Sequence, residues 1–129
     1  LAKVSDGTPY DGVIMEYVNP VNGGPVMPTM GAKMQLLKPG FATKAHRHTG
    51  STVYHVAKGR GHSIIAGQRF DWTEHDIFCV PSWAWHEHAN DDQDNDACLF
   101  QYNDIPMIDA LDLWVEEAYD ANGGHQDVA

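Results

Sequence analysis

Between Lys33 and Tyr102 the chain is cut at short, regular intervals by turn residues, and no other feature restricts its fold as much. Residues 34–37 stop at Pro39-Gly40, 43–48 at Thr49-Gly50, 52–57 at Lys58-Gly59, and 62–66 turn at Gly67. Runs over 69–72, 77–80, 85–88 and 97–102 follow. Each is too short for a stable helix, and most carry the β-branched and aromatic residues that suit a pleated surface. About eight such runs joined by turns predict an antiparallel sandwich or barrel, an all-β fold.

The flanks read differently. Residues 1–32 are rich in Gly, Pro and Asn (Asn19-Pro20, Asn22-Gly23-Gly24-Pro25), which predicts an arm with a short extended piece over 12–18. After Asp104, a plausible cap, and Pro106, the residues Met107, Leu111, Trp114 and Val115 recur at helical spacing until Asn122-Gly123-Gly124. That predicts a short amphipathic helix packed on the barrel or on a partner. The expected division is therefore an arm (1–32), a barrel (33–105) and a C-terminal helix and tail (106–129), all one domain at 129 residues.

Composition removes several classes of function. A formal charge of −10 argues against nucleic acid or an anionic membrane surface as partner. No apolar run is long enough to span a bilayer, and a cytoplasmic location is expected. Cys79 and Cys98, each in an apolar run, read as buried thiols, with a disulfide between them as the alternative. Residues 91–96 form an acidic loop that reads as a solvated hairpin tip. The first residue is Leu1, so a fragment, or the second half of something longer, is a natural reading.

The chemistry is concentrated in two of the strand-like runs, His46-Arg47-His48 and His86-Glu87-His88. Side chains alternate along a strand, so each His-x-His pair shares one face, with Arg47 and Glu87 on the opposite faces. If both faces point inward, His46, His48 and His86 can converge on one metal ion, with His88 nearby. Neutral imidazoles suit iron(II), zinc, nickel or copper and leave coordination positions open. An isolated His-x-His is as often a surface or hydrogen-bonded pair. Two of them on strands of one barrel favour the metal.

With these residues in view the chain resembles the cupin superfamily, whose fold is the double-stranded β-helix or jelly-roll barrel. Its first motif joins a glycine, His-x-His, a glutamate and a second glycine; Gly40, His46, His48 and Gly59 match, and Thr52 stands in the glutamate's place. In the second motif Pro81, His86 and Asn90 match, whereas His75 and Trp83 replace two glycines. Pro81-Ser-Trp83-Ala-Trp85-His86-Glu-His88 is similar to the gentisate 1,2-dioxygenase group in particular. So are Gln35-Leu36-Leu37, Thr52-Val53-Tyr54-His55 and Asp104-Ile105-Pro106. Those enzymes are usually bicupins, and this chain looks most like their C-terminal half.

The resemblance implies a site with His46, His48 and His86 as metal ligands. Fe(II) is the expected ion, with zinc, nickel, manganese or copper as alternatives. It implies His88 as the catalytic proton handler and Gln35, Tyr54, Trp83 and Gln101 around the substrate. The small-molecule partners are then an aromatic hydroxy acid and O2, and the reaction is extradiol-type oxidative ring cleavage. A homodimer or larger homo-oligomer is also expected. Tyr54 replaces an arginine that holds the substrate carboxylate elsewhere in the family, and Gln101 replaces an aspartate. A metal-binding cupin without ring cleavage is therefore the alternative function, and a metal-free sugar-epimerase-like cupin is a third. Each candidate also has a structural alternative: core or interface packing for Trp83 and Trp85, core for Tyr54, and backbone hydrogen bonding for Gln35 and Gln101.

Overall fold

In this computed structural model residues 2–4 and 7–128 are described. Two antiparallel sheets face each other. One has the order β1 (Ala2–Val4), β2 (Val13–Tyr17), β3 (Gly31–Leu37), β10 (Ala97–Asn103), β5 (Thr52–Lys58), β8 (Ile77–Val80). The other has the order β11 (Glu116–Ala118), β4 (His46–His48), β9 (His86–Asn90), β6 (Arg60–Ile65), β7 (Gln68–Thr73). This is the all-β jelly-roll expected of the punctuation pattern, with one short helix, α1 (Ile105–Ala110). The turn between β5 and β6 needs Gly59. Its φ is +95°, and a Cβ there would lie 2.9 Å from the Ala97 Cα.

The inward residues of both sheets form the core. Leu37, Val56, Val80 and Leu99 are fully buried, with Tyr54, Ile65 and Trp72 around them. Burying each such side chain contributes about 1.5–3 kcal/mol. Alternation is visible in β5, where Thr52, Tyr54 and Val56 are buried while Val53 and His55 are half-exposed.

The arm folds back on its own chain: β2 pairs with β3, placing Ile14 opposite Gln35 and Glu16 opposite Lys33. Gly12 precedes β2, and Asp11 and Tyr10 are thereby brought to the open end of the barrel near His46.

The C-terminal segment departs from the predicted helix. α1 ends at Ala110, none of its residues is buried, and Asp112 takes a left-handed φ of 57°. Leu111, Trp114 and Val115 are therefore not on a helical face. The Thr49 hydroxyl donates to Leu113 O (2.8 Å) and accepts Val115 N–H (3.0 Å), and Thr49 N–H donates to Val115 O (3.0 Å). These bonds straighten the chain into β11, whose register sets Glu116, Glu117 and Ala118 opposite His48, Arg47 and His46. The open edge of β4 would otherwise leave backbone groups unpaired, and satisfying them outweighs a modest helix propensity. Asp104 holds the N-cap position without a side-chain bond into the helix; its Oδ1 accepts Ser51 N–H, while Asn103 Oδ1 accepts Ile105 N–H.

The cysteines are free thiols as expected, but they are not buried in the core: Cys79 is exposed and Cys98 half-buried. In β8 the apolar run alternates, with Ile77 and Cys79 outward and Val80 inward, so hydrophobic composition alone misled.

Candidate metal centre

β4 and β9 are neighbours with His46 directly opposite His86, and the strand period adds His48 to the same inner face. The ring centroids are 4.6 Å apart for His46–His86, 5.0 Å for His48–His86 and 5.5 Å for His46–His48, all edge-on. One ring nitrogen from each lies within 4.8 Å of those of the other two. Ring orientation is set from behind. His86 Nδ1 is 3.0 Å from Ala84 O and His48 Nδ1 is 3.1 Å from Thr49 O. A carbonyl only accepts, so each Nδ1 carries a proton, and in the neutral tautomer the lone pair is on Nε2. The Tyr10 ring stacks on His46 at 5.6 Å and 2°.

Burial, with the neighbouring imidazoles adding to it, pushes the His46 pKa down to about 4 and that of His86 to about 3. Both rings are thus neutral at physiological pH, the form that binds a metal. His46 Nδ1 is buried without a hydrogen-bond partner, and the nearby Glu116 Oε1 is 3.9 Å away. Three imidazole nitrogen donors gathered this closely fit a borderline divalent cation. Thr52, in the place of a fourth ligand, is buried at the start of β5 and does not line the site.

The triad forms one wall of a cavity of about 250 Å3. Opposite it, Tyr54, Gln101 and Lys33 come from the six-stranded sheet. The arm supplies Thr8, Asp11 and Ile14, and the C-terminal segment supplies Ile105, Trp114 and Glu116. Trp114 stacks on His48 at 5.1 Å and 21°. Asp11 Oδ1 is 4.0 Å from His46 Nε2, and burial raises the Asp11 pKa against the opposing pull of Lys33. Burial likewise raises the pKa of the Tyr54 phenol, which stays a protonated donor.

Of the substrate-facing residues expected from sequence, Tyr54 and Gln101 line this cavity, whereas Gln35, His88 and Trp83 do not. Gln35 is fully buried one layer back, its amide donating to Asp11 O at 2.6 Å. His88 lies deeper still, its ring 4.8 Å from that of Tyr54. The Ser63 hydroxyl accepts Trp72 Nε1–H and stands 2.7 Å from His88 Nδ1, so its own proton is free for that nitrogen. The His88 proton is then on Nε2, which is buried without a partner. Trp83, at a left-handed φ of 65°, turns its ring outward. Arg47 lies 4.3 Å from the centroids of both Trp83 and Trp85 and pairs with Glu117 at 2.9 Å. Period two along β3 was enough to place Lys33 on the face of Gln35. Asp11, Trp114 and Glu116 had no such signal, because the paths of the arm and tail bring them in.

A second group able to hold a metal, His62, Asp71 and Asp91, lies on the outer face of the five-stranded sheet. His62 Nδ1 already contacts Asp91 at 2.9 Å, and Arg69 pairs with Asp71 at 3.0 Å.

Residues 33–101 match the family described as the cupin domain. The chain is 48% identical over 120 residues to a 5-aminosalicylate 1,2-dioxygenase of Comamonas sp., covering 93% of this chain and 32% of that protein. It is 37% identical over 116 residues to a gentisate 1,2-dioxygenase of Aquipseudomonas alcaligenes, covering 90% and 33%. Salicylate 1,2-dioxygenase from Pseudoaminobacter salicylatoxidans, solved as its adduct with gentisate, superposes with a TM-score of 0.76 at 33% identity. That superposition covers 81% of this chain and 28% of the other. The chain thus spans about a third of the length of the relatives it matches.

Proposed function

The chain belongs to the cupin family, and from that premise we propose that its barrel holds Fe(II) on His46, His48 and His86 and opens the ring of a hydroxybenzoate-type aromatic acid with O2. The observation that carries this reading is the triad itself: three imidazoles, those of His46 and His86 buried and neutral, on one wall of a cavity with room for a single aromatic ring. Ring-cleaving relatives support it, although each is about three times as long as this chain. When bound, the iron would supply a template on which acid and O2 meet, together with the one-electron chemistry that O2 requires.

The chain's own residues do the rest. Trp114, Ile14 and Ile105 offer apolar surface to the ring. The Tyr54 hydroxyl and the Gln101 amide offer hydrogen bonds to substrate oxygens, and Tyr54 remains a donor because burial keeps its phenol protonated. His88 acts through Tyr54, against whose ring it packs, rather than by direct contact with substrate. Arm (1–32), barrel (33–105) and tail (106–129) work as one unit, since the two flanks supply five of the twelve residues that line the cavity. Assembly into a homodimer or larger homo-oligomer belongs to the same reading.

One observation favours the second reading, a metal-binding cupin without ring cleavage. The carboxylates of Asp11 and Glu116 face the cavity and oppose an anionic substrate. Oxygen uptake decides between them. The protein is loaded anaerobically with Fe(II), then given gentisate, salicylate or 1-hydroxy-2-naphthoate in air-saturated buffer. Stoichiometric oxygen consumption with loss of aromatic absorbance is expected for at least one acid. Retained iron with no uptake for any of them sinks the enzyme reading.

A further inference from the structure

We propose that Lys33 decides which aromatic compounds enter this cavity: its ammonium binds the carboxylate of the ligand and so selects acids over uncharged phenols of the same shape. The inference rests on the reading of the cavity as an aromatic-acid site and names the group that would recognise the acid.

Lys33 is opposite Gln101 of β10 and opposite Glu16 of β2 in the ladder. Directly paired residues share a face of the sheet, and Gln101 lines the cavity. Gln35, two positions along the same strand, is fully buried on that face. Lys33 therefore projects into the barrel rather than into solvent, and it is itself part of the cavity wall. Among the described residues lining the cavity it is the only lysine or arginine. No ion pair is formed by its ammonium within 4.0 Å among the described residues. Its charge nonetheless reaches the metal side of the cavity, where it lowers the pKa of both Asp11 and His46.

A carboxylate that leaves water for a partly enclosed cavity needs an opposite charge or several donors. Tyr54 and Gln101 supply neutral donors only. Lysine meets the remaining requirement with a point charge on a flexible stem, which tolerates ligands of different ring size better than a planar guanidinium fork does. Asp11 competes with the ligand for the same ammonium. That competition gives the proposal a signature of opposite sign at a second position.

The test measures binding of salicylate and of its neutral analogue salicylamide by calorimetry, using the full chain loaded with Zn(II), which is redox-silent, and again without metal. Lys33→Met keeps the stem and removes the charge; it is expected to weaken salicylate binding about tenfold or more while changing salicylamide by less than about twofold. Lys33→Arg should retain salicylate binding within about threefold, and Asp11→Asn should strengthen it by a similar factor. A Lys33→Met protein that binds salicylate like wild type overturns the proposal. So does equal weakening of both ligands, or a wild type that binds neither. If Lys33→Met does not fold, as judged by circular dichroism, the arginine and Asp11→Asn variants decide. Lys33-dependent salicylate binding without oxygen uptake by the iron form would retire ring cleavage and leave this inference standing. Oxygen uptake by iron-loaded Lys33→Met with an unchanged KM for salicylate would do the reverse.

Discussion

The five-stranded sheet carries a trio of metal-capable side chains on each face, and the two trios differ in both composition and surroundings. On the inner face His46 and His86 are uncharged, Nδ1 protons are directed to carbonyls at two of the three positions, and the three ring edges meet. On the outer face His62 and Asp91 already satisfy one another, and Arg69 lies 3.0 Å from Asp71 and 3.8 Å from Asp91. The inner trio has ring nitrogens with no hydrogen-bond partner among the described residues. The outer trio has spent its donors and acceptors internally and carries a resident cation. Proximity of ligand types is therefore a weak criterion. What separates a centre from an ion-pair cluster is whether the side chains are left unsatisfied in one orientation by the fold.

The largest expected effect tests that distinction directly. His86→Ala should lower affinity for a divalent metal by on the order of a hundredfold or more, because it removes one of three ligands that the sheet holds in place. Asp91→Asn should leave metal content unchanged. Metal content after dialysis, measured by atomic absorption, checks both; equal losses in the two variants would erase the contrast.

Acid should expose the same difference through stability. In the unfolded chain imidazoles take up protons near pH 6.5, whereas in the fold His46 does so only near 4 and His86 near 3. His88 is also held well below its ordinary value, first by burial. The unfolded state therefore binds more protons across that interval, and the metal-free protein loses stability as pH falls from about 6.5 toward 4. Each of these rings contributes about 1.4 kcal/mol per pH unit there. Urea denaturation at pH 7.5, 6.0 and 5.0 measures the slope, and a flat profile would show that the rings are not buried neutral.

The inner trio could be read from the sequence because period two in a strand is a strict geometric rule, and His46 and His48 obey it whatever the tertiary context. The same rule, applied from Gln35, reaches Lys33. Nothing local reaches Asp11, Trp114 or Glu116, whose positions depend on how the arm returns along β3 and how the tail pairs with β4. Trp83 misled for a different reason. It is near His86 in sequence, but a left-handed backbone turn swings its ring outward onto Arg47. The extended helix misled because Leu111, Trp114 and Val115 have helical spacing, while the hydrogen bonds to Thr49 that straighten the chain are long-range.

A smaller effect should come from Glu87, which occupies the outer face of β9 between His86 and His88. Its carboxylate is 6% exposed, accepts Gln126 N–H at 2.8 Å and lies 2.7 Å from His125 Nδ1. Gln126 in turn donates to Ile64 O and accepts Gly67 N–H, fastening the tail to β6. Glu87→Gln replaces one acceptor with an NH2 that faces existing donors, so it should cost about 1–3 kcal/mol. The tail over 122–128 should become more susceptible to protease, while metal affinity changes little. A large loss of metal would mean that the outer face tunes the inner one, and that the two sides of the sheet are not independent.

The smallest effect is expected at the outer trio itself. His62 and Asp91 touch at 2.9 Å with side chains 18% and 32% exposed, a geometry in which solvent screens the pair and ordering two side chains offsets part of the attraction. A double-mutant cycle with His62→Gln and Asp91→Asn should therefore return a coupling of at most about 1 kcal/mol, falling as salt is raised. Arg69 sharpens the reading, because its contact with Asp91 at 3.8 Å gives that carboxylate a second cation when His62 is changed. A coupling several times larger and insensitive to salt would place this cluster in a low-dielectric setting like that of the inner trio, and solvent screening would then no longer separate the two faces.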